Sequence, residues 1–167
     1  FRNEIYSDYK SNRSEAPDDL VPQFEYIRKS VKAFNLPSIE LINYEADDLI
    51  ATYVEHILKE GAKVTIVSSD KDLMQLYKKD VRIYDPMKNK FISNEDVNNK
   101  FGVNPDKVVD VQALAGDSSD NVPGVPGIGV KTAAELINQY GNLENVLKNA
   151  DKIKQNKRRE TLIQNKD

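Results

Sequence analysis

Gly116-Asp117-Ser118-Ser119-Asp120-Asn121-Val122-Pro123-Gly124-Val125-Pro126-Gly127-Ile128-Gly129-Val130-Lys131-Thr132 is the stretch on which the reading of the whole chain turns. Four glycines and two prolines in so short a segment predict a loop whose course is set by special backbone angles. It runs into Val130-Lys131-Thr132-Ala133-Ala134-Glu135-Leu136-Ile137, which reads as a helix. A Gly-rich turn that opens a helix offers free backbone N–H groups and the positive end of a macrodipole, which suits a phosphate. Asp117 and Asp120 stand just in front and would repel that phosphate. Something must reconcile the two.

Upstream, two more acidic clusters occupy comparable places. Lys63 to Ser68 is a β-branched run suited to a parallel, doubly covered strand, and it ends in Ser69-Asp70-Lys71-Asp72-Leu73. Ser38 to Ile42 reads as a short strand followed by Asn43-Tyr44-Glu45-Ala46-Asp47-Asp48. Leu49, Ile50, Tyr53, Val54, Ile57 and Leu58 then form a helical stripe closed by Gly61. Capping and macrodipole compensation account for one or two acids at that helix start; three leave a surplus that calls for a cation. Open α/β sheets bind ligands at the carboxyl ends of their strands. The expectation is an α/β fold with a parallel-rich central sheet and flanking helices.

The flanks are less specific. Leu20, Phe24, Ile27, Val31 and Phe34 predict a buried helical stripe beginning near Pro17-Asp18-Asp19 and stopping at Asn35-Leu36-Pro37. Phe1 to Arg13 interleaves Arg2, Lys10 and Arg13 with Phe1, Tyr6 and Tyr9, either a solvated connector or a grip on a nucleic-acid backbone. Val81 to Tyr84 and Lys90 to Ile92 predict a marginal hairpin. Ser93 and Asn104-Pro105 start two helices, and another spans Leu143 to Leu147. The chain turns basic from Lys152 to Arg159, a run that is usually a solvated helix face.

Composition excludes several classes. With no cysteine and a single histidine, His56, read as a surface residue, neither a disulfide framework nor a thiolate or His-rich metal site is available. No apolar run reaches membrane-spanning length and no secretory signal is present, so a cytoplasmic protein is expected. Phe1 in place of Met predicts a chain cut from something longer. The formal net charge is −3, yet without the seven carboxylates of the three clusters the balance turns positive. Such concentrated acidity fits a metal site in a phosphate-binding protein. Glu45, Asp47, Asp48, Asp70, Asp72, Asp117 and Asp120 could not all ionise near one sheet edge without cations. Hard oxygen donors select magnesium or manganese, and a pair of such ions suits phosphodiester hydrolysis.

Tyr44-Glu45-Ala46-Asp47-Asp48, Ser69-Asp70-Lys71-Asp72-Leu73 and Gly116 to Gly124 stand in the order and spacing of the 5′-nuclease (flap endonuclease) family. The pattern most resembles the 5′→3′ exonuclease domains attached to bacterial DNA polymerases. The resemblance covers essentially the whole chain, and three ordered motifs make it specific. It implies a nuclease core over residues 1–115 and a helix–hairpin–helix subdomain with a basic tail over residues 116–167. It implies cutting where a 5′ single strand leaves a duplex or at a nick, in replication and repair. Glu45, Asp47, Asp70 and Asp72 would serve one divalent ion, with Asp48, Asp117 and Asp120 completing a second site. Lys10 and Arg13 would meet the scissile phosphate beside Arg2, and Tyr9 would stack on a base. Gly127, Gly129, Lys131 and Thr132 would hold duplex backbone, and the hairpin carbonyls admit a potassium ion. A monomeric, nucleoid-associated bacterial protein with a covalently linked polymerase domain follows from the same resemblance.

The family's first strand, with a catalytic Asp, and a second Asp expected shortly before Phe1 are absent, as is its C-terminal part. These residues alone are therefore expected to be impaired. Two other readings fit the same residues. One is a catalytically incomplete module that binds duplex DNA without regard to sequence, its acids serving as caps. The other is a ribonuclease of the PIN type, against which the Gly-rich hairpin after the last acidic pair argues.

Overall fold

The computed structural model describes residues 1–165; Lys166 and Asp167, the end of the expected second segment, lie outside them. Three strands form one sheet: β1 (Val64–Val67), β2 (Val81–Asp85) and β3 (Lys90–Phe91), in the order β1-β2-β3. β1 and β2 run parallel, pairing Val64 with Val81 and Ile66 with Ile83, while β2 and β3 close the expected antiparallel hairpin through Tyr84 and Phe91. The sheet is therefore mixed and only partly parallel. Side-chain alternation sends Val81 and Ile83 into the core and Arg82 to solvent.

Eight α-helices surround this sheet in the described residues: α1 (Arg2–Ile5), α2 (Gln23–Ala33), α3 (Ala46–Lys59), α4 (Asn94–Phe101), α5 (Val108–Ala115), α6 (Val130–Tyr140), α7 (Leu143–Lys148) and α8 (Asn156–Gln164). The C-terminal helices follow their sequence signals closely. Ser93 and Asp96 form a reciprocal capping box on α4, and Gly102, at φ +73°, ends it in the left-handed conformation. A 3-10 turn over Pro105–Lys107 leads into α5, and Asn142 caps α7. Val97, Phe101, Val108, Val111, Leu114, Ile137, Val146 and Leu162 are buried in one continuous core with Val81 and Ile83.

Four expectations fail between α2 and β1. α2 begins at Gln23, after a run of turns, and none of its residues is buried: Ile27 is 53% exposed, and Phe34, just past its end, is 77% exposed. Ser38 to Ile42 is not a strand; residues 38–41 adopt no regular secondary structure, Ile42 lies in a turn, and no strand among the described residues pairs with them. On α3 only Val54 is fully buried, and Tyr53 faces solvent. β1 is covered on one face alone, leaving Val67 exposed. The common cause is that periodicity specifies an apolar face but not a surface to bury it against. His56 is on the surface, as expected, facing Glu60 one turn on.

Candidate metal and nucleic-acid site

The Gly-rich stretch is fixed by its own backbone. Asp117 N–H donates to the Val122 carbonyl (2.9 Å) and Val122 N–H returns the bond to Asp117 (2.8 Å), closing a tight loop that holds Asp117 and Asp120. Val125 N–H donates to the Leu114 carbonyl (2.8 Å), pinning the loop to the end of α5. Gly116, at φ +73°, crosses Gly124 so closely that a Cβ built on Gly124 would lie 2.2 Å from the Ala115 carbonyl carbon. Only glycine permits that crossing.

This loop faces the other acids across a cleft with two adjoining mouths of about 460 and 400 Å³. All seven predicted carboxylates line it, with Arg2, Tyr9, Lys10, Arg13 and Lys71 among them. Their partners differ. Asp48 accepts the Glu45 backbone N–H (2.9 Å) and a two-pronged pair from Arg2 (2.7 and 2.8 Å), and the Arg2 hydrogen bond holds its carboxyl at about 2. Lys10 Nζ donates to both Glu45 oxygens at 2.7 Å, and Arg13 pairs with Asp120 at 2.5 Å. The Tyr9 hydroxyl lies 3.1 Å from both Glu45 Oε2 and Asp120 Oδ2, and its single proton can serve only one of them. Burial opposes ionisation of Asp117, but Lys71 and Ser119 outweigh it and hold this carboxyl at about 2. Asp47 and Asp70 have no ion pair among the described residues. Burial, and then the charges of Asp70, Glu45 and Asp72, push the Asp47 carboxyl up. The Asp72 carboxyl is also raised by burial, against a 2.6 Å hydrogen bond from Gln112.

Asp47 is thus the surplus acid that the α3 cap does not use. Among the described residues no three carboxylates converge tightly enough to hold an ion as they stand. The donor set nevertheless fits a hard divalent cation: oxygen ligands only, crowded, with two members uncompensated. Gly127, Gly129, Lys131 and Thr132 do not line the cleft; they sit at the start of α6, where the first two and Lys131 are exposed and Thr132 is half-buried. No side chain caps α6 at Gly129, and a Cβ at Gly127 or Gly129 would meet nothing, so the backbone there is open to an approaching group.

Three supporting residues fall outside the predicted site residues. Asp85, at the end of β2, is 2% exposed and accepts hydrogen bonds from Ser69 Oγ (2.6 Å) and the Met87 and Lys88 backbones, bracing the residue before Asp70. Gln112 reaches Asp72 from α5 across 40 residues, and Lys71 reaches Asp117 across 46. Asp85 reads as a turn residue before Pro86, and only Lys71 lies within a quoted motif.

Residues 1–102 match the 5′-3′ exonuclease N-terminal resolvase-like domain, and residues 103–167 match the 5′-3′ exonuclease C-terminal SAM fold. The chain is 56% identical to DNA polymerase I of Rhizobium leguminosarum over 167 residues, all of this chain and 16% of that protein. It is 46% identical to the 5′-3′ exonuclease of Aquifex aeolicus over 152 residues, 91% of this chain and 53% of the relative. The crystal structure of the T5 D15 protein co-crystallised with metal ions superposes with a TM-score of 0.83 at 25% identity, covering 97% of this chain and 65% of that one. The chain therefore spans about half or less of these curated relatives. It belongs to the 5′-3′ exonuclease family.

Proposed function

We propose that these residues form part of a metal-dependent nuclease that hydrolyses DNA phosphodiester bonds, as a 5′→3′ exonuclease and 5′-flap endonuclease acting at flaps and nicks. The observation that carries this reading is the pair Asp47 and Asp70, uncompensated in a cleft of oxygen donors. Glu45, Asp47, Asp70 and Asp72 would hold one magnesium or manganese ion, and Asp48, Asp117 and Asp120 would complete a second site. Bound ions supply Lewis acidity for attack on phosphorus and for departure of the leaving oxygen. Lys10 and Arg13, with Arg2 nearby, orient the scissile phosphate as charged donors. Tyr9 presents a ring to an unpaired base.

The open start of α6 offers N–H groups of Gly127 and Gly129, with Lys131 and Thr132, to duplex backbone, and its carbonyls suit a potassium ion. Such contacts position DNA without reading its sequence. Functionally the division falls after Ala115: the α/β part with α5 carries five of the acids, and the loop carries the other two and, with its helices, the duplex. A polymerase in the same polypeptide, a monomeric state and a bacterial cytoplasmic, nucleoid-associated setting complete the reading. No described helix is long and apolar enough to cross a membrane. Because no three carboxylates converge among the described residues and α2 buries none of its residues, the 167 residues by themselves should turn over weakly.

The test is a labelled 5′-flap duplex incubated with magnesium. The larger protein carrying these residues should cut near the junction and stop on addition of EDTA, while the 167-residue chain cuts far more slowly. Duplex retention that ignores magnesium, with no cleavage by either protein, would establish the binding module instead.

A further inference from the structure

Two lysines occupy matching positions across the seam between the α/β part and the Gly-rich loop. Lys10 Nζ sits 2.7 Å from Glu45 on one side and 3.6 Å from Asp120 on the other. Lys71 Nζ pairs with Asp117 in the loop and lies 3.8 Å from Asp72. Each ammonium thus takes one carboxylate from the α/β part and one from the loop. Between them, Asp47 and Asp70 have no cation among the described residues.

We infer that Lys10 and Lys71 are exchangeable counter-ions: they hold the two carboxylate loops together while no divalent cation is bound, and give up those oxygens when one arrives. The inference rests on the metal-dependent reading above. An ammonium and a divalent cation on the same carboxylate repel each other as like charges a few ångströms apart, so they compete for its oxygens. The divalent ion brings twice the charge and draws several oxygens at once. Lysine is suited to yielding, since it is a single charge on a flexible stem rather than a rigid fork.

The backbone around Lys10 does not depend on its side chain. Lys10 N–H donates to the Asp120 carbonyl (2.8 Å), Asn12 Nδ2 to the Ser118 carbonyl (2.7 Å), and Asn121 Nδ2 to the Asp8 carbonyl (2.7 Å). The segment therefore stays docked while the ammonium swings, so the side chain assigned to the phosphate is delivered only when the cation is in place. Metal loading and phosphate capture become one event.

Competitive acetylation with acetic anhydride, read by mass spectrometry, reports this on the unmodified chain. Magnesium should raise the reactivity of Lys10 and Lys71 several-fold, while Lys88, paired with Asp85 away from the cleft, stays constant. Manganese binding without DNA, followed by electron paramagnetic resonance, provides the second measurement. Lys10→Gln and Lys71→Gln should each tighten it by about threefold to tenfold, the order of removing one competing ion pair. Asp70→Asn should weaken it. A flat labelling profile, or unchanged or weaker manganese affinity in both lysine variants, overturns the exchange. If Asp70→Asn still weakens binding in that case, the metal reading stands without it. If the wild type binds no manganese, both fall together.

Discussion

In the C-terminal half, α5 and α6 pack together, and Val108, Val111, Leu114, Ala133, Leu136 and Ile137 on them are nearly sealed from water. In the N-terminal third, α2 leaves Phe24, Ile27 and Phe34 open to solvent, and the segment around Tyr9 to Arg13 is held instead by charged and polar contacts to the acidic cleft. The first arrangement is fixed by apolar burial, which is insensitive to ions. The second is fixed by half-exposed ion pairs, which salt screens and competing cations displace. The acids of the cleft lie where the two regimes meet.

The largest effect should come from that meeting place. In the larger protein, Asp70→Asn with Asp72→Asn should slow flap cleavage by about a hundredfold to a thousandfold or more, the range for losing preorganised electrostatic groups. Duplex retention measured by filter binding should hardly change. Equal losses in both would make the seam a structural device rather than a reactive one.

Stability separates the two regions next. Leu162→Ala, at a fully buried position, should cost about 3 kcal/mol in urea unfolding. Ile27→Ala on α2 should stay within about 0.5 kcal/mol, because its side chain is already half in water. Similar costs would mean that α2 buries its face in solution and would erase the contrast. The glycines offer a finer version. Gly124→Ala must move backbone and should cost about 2 kcal/mol, whereas Gly129→Ala, at a negative φ with open space around it, should be nearly neutral.

These contrasts explain what could be read from residues alone. A helix start with a local signal, such as Ser93 with Asp96, was legible because donor and acceptor lie within one turn. The acidic residues of the cleft were legible as three ordered motifs, and all seven line it. The apolar stripe of α2 was legible as a face but not as a buried one, since its partner surface is a property of the whole fold. Ser38 to Ile42 has strand composition but no ladder beside it in the described residues. Lys71 and Gln112 act across 46 and 40 residues, and no spacing rule reaches that far.

The smallest effect compares two caps of the same design. Asp48 and Asp96 each close the first turn of a helix by accepting a backbone N–H three residues back, at 2.9 Å in both cases. Asp48 sits in the cleft and shares its oxygens with Arg2, so any change there also disturbs the N-terminal segment. Asp96 is isolated from the cleft; Lys90, then the Ser93 backbone and hydroxyl, hold its carboxyl at about 2. An unfolded Asp titrates near 3.9, so the unfolded chain takes up this proton first as pH falls. The stabilisation from Asp96 is then complete above about pH 4 and fades as pH drops toward about 2. Asp96→Asn should cost about 1 kcal/mol at neutral pH. It should also flatten the acid limb of the urea-midpoint curve over that window. A midpoint that still falls as steeply in the variant would assign the acid loss to Asp85 or to the carboxylates of the cleft.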